Sequence, residues 1–283
     1  MTTMITINGL EFSGGAPGPS GFFFNKIIDW YGVPDGTAQF DDIPNGPGSF
    51  APARMQIPQV TPSIEGGYLG ASVEDALRAR ITLSKIRADG RKVAMTVHDD
   101  LFPTTRMVFV KKVTVPHSRH PGFKLAIDCI APDPFRYGET VVSDQAGLPS
   151  SGSGMAFPFR FKAEFGTPNS SGRTTIYNDG SESAPVSFEV GGGLLDGFQI
   201  KTIDGVGELF TFTRNIPEDS VVTFNPRTGR AKIDGTSDIS GDIAPNSNWT
   251  VIPPGESRTF QFNALGASSG TPYLIARLSP RYL

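Results

Sequence analysis

Residues able to do chemistry are sparse in this chain, so their spacing is the first question. His117 and His120 stand three apart with Ser118 and Arg119 between them. Two imidazoles so placed could hold a metal, but no cysteine or nearby carboxylate completes a four-ligand shell, and they read as exposed loop histidines. His98-Asp99-Asp100 puts an imidazole beside two carboxylates. Adjacent residues on a strand face opposite ways, however, and Pro103 follows closely, so the run reads as a strand end entering a turn. Gly191-Gly192-Gly193 lacks the Lys-Ser/Thr of a phosphate loop and reads as a turn. There is no Gly-x-Ser-x-Gly elbow, and Asp41-Asp42 lies in a Gly/Pro-rich stretch with no evident scaffold for the fixed separation that glycoside hydrolysis requires. Cys129, the only cysteine, falls in an alternating run, Phe123 to Ile130, and reads as a small core residue. These residues predict a protein that is not an enzyme and uses no metal or cofactor.

The composition fits that expectation. The 283 residues include 33 Gly and 24 Pro, which favour many turns and short strands over long helices. Hydrophobic residues make up 38% and charged residues 19%, enough apolar material for packed cores. A formal charge of -3 and the lack of a basic tract argue against nucleic acid as the main partner. No stretch approaches the roughly 18 apolar residues of a membrane span, and the start has no signal-peptide pattern, so synthesis in the cytoplasm without membrane insertion is expected.

Along the chain, Ile5-Thr6-Ile7 is the first strand signal, followed by a Gly/Pro loop and an aromatic patch, Phe22, Phe23, Phe24, Ile27, Ile28, Trp30 and Tyr31. That patch fits either a strand buried on both faces or, at Phe22, Phe23, Trp30 and Tyr31, a partner surface. The stretch to Pro58 reads as irregular loop. Val60 to Ala71 contains a strand with Ile64, Gly66, Tyr68 and Gly70 on one face. One helix is predicted from an N-cap at Ser72 to before Gly90, with Val73, Ala76, Leu77, Ile81 and Ser84 as its apolar stripe. Strands at Lys92 to Val97, Arg106 to Val115 and Phe123 to Ala131 complete an α+β domain over residues 1–142. Residues 143–154 have the composition of a flexible linker. Beyond them come short strands at turn-punctuated spacing, starting with Phe157 to Phe165, which predict a jelly-roll or galectin-like sandwich over 155–283 with Phe188, Phe210, Phe212, Phe224, Phe260 and Phe262 in its core.

Ala131-Pro132-Asp133-Pro134-Phe135-Arg136-Tyr137-Gly138 resembles the close of the N-terminal domain of siphophage distal tail proteins. Ile176-Tyr177-Asn178-Asp179-Gly180, then Ala184-Pro185 and Val190-Gly191, resembles the opening of that family's C-terminal galectin-like domain, and the final Arg277 to Leu283 is similar as well. The resemblance implies an N-terminal belt domain forming a sixfold ring, a virion location at the tail tip, and partners in the tail-tube protein and in tip hub, tape-measure or receptor-binding proteins. Ring contacts are expected by strand addition at Ile64, Gly66, Gly67 and Tyr68, where the glycine pair suits a backbone lying close against a neighbour; the other reading of this strand is that it lies inside its own sheet. The alternative is a carbohydrate-binding module with Trp249 as its stacking platform. True galectins carry a Trp-Gly-x-Glu type signature that this sequence lacks.

Overall fold

The computed structural model describes residues 3–38, 40–44, 46–50, 55–116, 119–150, 171–204 and 207–283. It is mainly β with a single α-helix among the described residues, as the sequence predicts. The chain divides into two compact units, residues 1–138 with Tyr282 and Leu283, and residues 139–281.

The first unit contains β1 (Met4–Ile7), β2 (Leu10–Gly14), β3 (Phe22–Ile28), a small hairpin of β4 (Asp41–Asp42) and β5 (Ser49–Phe50), β6 (Ser63–Leu69), α1 (Val73–Ser84), β7 (Val93–His98), β8 (Pro103–Thr114), β9 (Gly122–Ile130) and β10 (Arg136–Tyr137). Its large sheet runs β10-β8-β7-β1-β2-β3-β6-β9, and β9 pairs back onto β8. Twelve-residue β8 makes this closure possible. Residues 103–108 pair with β7 and residues 109–114 with β9, the latter pairing interrupted by a bulge between Val110 and Lys112. Seven strands therefore form a closed barrel, antiparallel everywhere except the short β2–β3 pairing. Alternation fills its interior: Ile5, Ile7, Phe12, Ile64, Met95, Val97, Val108 and Ile127 are fully buried.

Ser72 caps α1 as predicted. Its Oγ accepts the Asp75 amide at 3.1 Å while the Asp75 carboxylate accepts the Ser72 amide at 3.1 Å. The buried face is another matter. Ala76, Ala79 and Leu83 point inward, whereas Val73, Leu77, Ile81 and Ser84 of the expected stripe are exposed. Short alanine side chains let the helix lie close on β6 and β9, so the face with the smaller residues is the one that packs.

The second unit contains β11 (Val141–Val142), β12 (Ala146–Gly147), β13 (Arg173–Tyr177), β14 (Ala184–Leu194), β15 (Phe198–Thr202), β16 (Leu209–Phe212), β17 (Val221–Asn225), β18 (Arg230–Ile233), β19 (Ser237–Asp238), β20 (Val251–Ile252), β21 (Ser257–Ala264) and β22 (Ser268–Leu278). One sheet runs β11-β22-β14-β17-β18-β19 and the other β13-β21-β15-β16. They meet over phenylalanines from both sides: Phe188 lies 5.1 Å from Phe260, and Phe224 lies 5.5 Å from Phe198 and 5.2 Å from Phe212. All six expected core phenylalanines are at most 2% exposed.

Two expectations are corrected. The segment read as linker from residue 143 instead supplies β12, which pairs with β22 and buries Ala146, so a Gly/Ser/Pro-rich composition did not prevent strand pairing. Gly191 to Gly193 is not a turn but lies within β14, where a register shift against β22 forms a bulge and Gly192 takes φ +91. The predicted Phe157 to Phe165 strand and residues 151–154 lie outside the described residues.

A fragment spanning Glu139 to Arg281 is expected to unfold cooperatively, whereas one beginning at Ser153 loses both β11 and β12 from β22 and should melt at a clearly lower temperature. Circular dichroism melts of the two fragments check this, and equal midpoints would show that the β11 and β12 pairings contribute nothing.

Candidate functional site

The residues expected at a subunit joint do come together, but within one chain. β6 lies between β3 and β9, paired along its length on both sides, so it has no open edge. Strand addition at Ile64, Gly66, Gly67 and Tyr68 is therefore corrected. Gly66 and Gly67 do permit the close backbone approach their sequence suggested. A side chain at Gly66 would collide with the Phe23 backbone, and one at Gly67 would come within 2.8 Å of the Phe123 carbonyl oxygen.

Of the aromatic patch, Phe22 and Trp30 are 3% and 1% exposed and belong to the core, not to a surface. Phe22, Tyr68 and Phe123 form a row across β3, β6 and β9, with ring centroids 4.9 and 5.3 Å apart. Beside the row lies a groove of about 570 Å³ lined by Pro17, Phe23, Tyr68, Leu69, Pro116 and Phe123, with Lys124 at its margin. No sequence pattern marked it, because its walls come from five segments far apart in the chain.

Trp30 plugs the barrel together with Arg106. That guanidinium is 1% exposed, stands 5.1 Å over the indole, and donates to the carbonyl oxygens of Asp29 and Trp30 at 3.0 Å and of Pro134 at 2.8 Å. Burial, reinforced by the neighbouring positive charge of Arg136, pulls its pKa down to about 10, which leaves it charged at neutral pH. Around this plug the Asp133 to Tyr137 motif is structural. The Asp133 carboxylate accepts from the Tyr137 hydroxyl at 2.7 Å and from the Phe135 amide at 3.2 Å, while Arg136 stacks 5.0 Å over Tyr31 and donates to the Leu283 carbonyl at 2.7 Å.

His98-Asp99-Asp100 is indeed a strand end. Asp99 accepts from the amides of Leu101 and Phe102 at 3.1 and 3.2 Å and from the Tyr31 hydroxyl at 2.9 Å. Partial burial opposes ionisation of Asp99, but the Tyr31 hydroxyl, the two amides and nearby Arg136 outweigh it and hold the carboxyl below its ordinary range. Tyr31 itself is pushed up to about 12, by burial first and then by Asp99. Cys129 is 1% exposed, and burial, with Asp128 adding to it, raises its thiol to about 12. His117 lies outside the described residues. No group of three potential metal ligands occurs among those described. Asp41 and Asp42 sit in the small hairpin, paired with Phe50 and Ser49. Trp249 is half-buried, packed against the core of the second unit with its ring 5.0 Å from Phe210.

Neither a protein-family model nor a curated protein matches the sequence. Solved structures do. The chain is similar to the SPP1 Dit protein, described as a paradigm of the hub adsorption apparatus in phages infecting Gram-positive bacteria, with TM-score 0.68, 11% identity and 100% of both chains covered. It is also similar to chains of the phage P2 baseplate in its activated conformation, with calcium at TM-score 0.55 and with strontium at 0.56, each at 12% identity and covering 98% of this chain and 97% of the other. The shared property at this identity is the fold, and it is that of the distal tail proteins the sequence resembles.

Two outcomes follow from the plug. Arg106→Met removes donors from three carbonyls and is expected to cost about 3 kcal/mol, read by urea unfolding in a Trp249→Phe background so that Trp30 alone reports; a loss below about 0.5 kcal/mol, the range of an ordinary surface change, would contradict the clamp. Because the folded Asp99 carboxyl is more acidic than in the unfolded chain, its stabilisation is complete above the ordinary carboxylate pKa and is lost as pH falls through the lowered folded value. The stability gap between the parent and Asp99→Asn should therefore be widest near pH 7 and close below about pH 4; a gap independent of pH would refute the assignment.

Proposed function

We propose that the chain is a structural virion protein of a long-tailed bacteriophage, a distal tail protein whose copies form a sixfold ring joining the tail tube to the tail tip and its receptor-binding apparatus. The observation that carries this reading is the likeness to SPP1 Dit over the full length of both chains, so that both packed units are matched. The sequence resemblance at Asp133 to Tyr137 adds to it, since those residues brace the barrel. A role that transmits contact rather than turning over substrate also suits the build of the molecule, two units each packed around an extensive buried core. On this reading the partners are other copies of the chain, the tail-tube protein and the hub, tape-measure or receptor-binding proteins of the tip; the action requires no cofactor. The protein is made in the host cytoplasm and resides in the virion at the tail tip.

Immunogold electron microscopy of purified virions with antibody against this chain is the test. Label confined to the tail tip is expected. Label on the capsid, or none on intact and disrupted virions alike, would overturn the proposal.

A further inference from the structure

The apolar stripe of α1 faces away from the core. Val73, Leu77 and Ile81 are 43%, 49% and 62% exposed, while Ala76, Ala79 and Leu83 take the inner side. Where the stripe ends, the short 3-10 helix Lys85–Gly90 and the residues after it gather positive charge. Lys85, Arg87, Arg91 and Lys92 are all exposed, and among the described residues no ion pair engages any of them. We propose that this face docks an amphipathic helix of another protein, its apolar ridge laid along Val73, Leu77 and Ile81 and its acidic side chains over the cations at the Lys85 end. The inference rests on the reading of the chain as a joint between virion proteins, and it adds one such surface and the chemistry of its partner.

Three observations choose the occupant. First, positions i, i+4 and i+8 make a ridge about 12 Å long, the kind that interdigitates with a like ridge on a second helix crossing at about −50°. Second, the charge beside the ridge is one-sided. Glu74 is held by Arg78 at 2.6 Å and Asp75 by the Ser72 cap, while the Arg80 guanidinium lies over the Phe123 ring. Asp89 sits with Lys85 and Arg87 on the wall of a cleft of about 560 Å³. β8, which packs against this segment, adds exposed Lys111 and Lys112, the latter opposite Asp128 of β9. A partner's carboxylates therefore meet six exposed cations and only Asp89 and Asp128 against them. Third, the rival occupants match only half of the face. A second α1 brings Glu74 and Asp75 already engaged, hence no free carboxylate for the cations. A phosphate backbone would use the cations and leave the ridge bare.

Fluorescence anisotropy of the full-length protein with two labelled synthetic peptides tests this. Each is a helix-forming sequence of about 20 residues with leucines at i, i+4 and i+8, one flanked by glutamates and the other by lysines. The glutamate peptide should bind, and the lysine peptide should bind at least roughly 10-fold more weakly. Lys85→Glu/Arg87→Glu should reverse that preference, which a misfolded chain could not do. Leu77→Ser/Ile81→Ser should weaken the glutamate peptide by about 10-fold or more. Equal binding of both peptides by the parent, binding of neither, or variants that bind as the parent does would overturn the docking face. Loss of self-association in Leu77→Ser/Ile81→Ser, read by sedimentation velocity, overturns it as well, because a second copy then covers the ridge. Tail-tip labelling of virions judges the proposed function independently of all these outcomes.

Discussion

Closure of the first sheet through β8 is the constraint on which the rest of the first unit depends. A flat sheet ordered like this one would expose β9 at an edge, with a row of unpaired amides and carbonyls available to any passing strand. Here one twelve-residue strand gives its first half to β7 and its second to β9, with a bulge between Val110 and Lys112 just past the change of partner. Bulges are the usual means of making a strand serve two neighbours, because the extra residue adds local twist. The consequence reaches well beyond hydrogen bonding. Once the barrel is closed, side chains that alternate inward must fill a fixed volume, and its end needs a stopper.

Trp30 and Arg106 are that stopper. Placing a guanidinium there is costly in desolvation, and the lowered pKa is its signature. The cost is offset by three carbonyl acceptors and an aromatic face, arranged so that one side chain ties β8 to the residues after β3 and to the segment before β10. The carbonyls in turn would be left without these donors if the arginine were absent. The Asp133 to Tyr137 motif thus acts as a brace within the first unit, which accounts for an acid that accepts from Phe135 and Tyr137 and an arginine that reaches Leu283.

Much of this was legible in the sequence where the signal is local. Alternation placed Phe188, Phe210, Phe212, Phe224, Phe260 and Phe262 in one core, and the Ser72–Asp75 pair announced the helix start. What failed was non-local. Gly66-Gly67 correctly signalled a close backbone approach, yet nothing in the residues says whether the approaching strand belongs to the same chain or another. The helix stripe was drawn from the larger apolar residues, while the packing surface was decided by how near the helix could come to β6 and β9, which favoured alanine. Residues 143–150 read as linker because composition reports chain stiffness, not whether a partner strand such as β22 is waiting. The groove was invisible for a similar reason, being assembled from residues between 15 and 124.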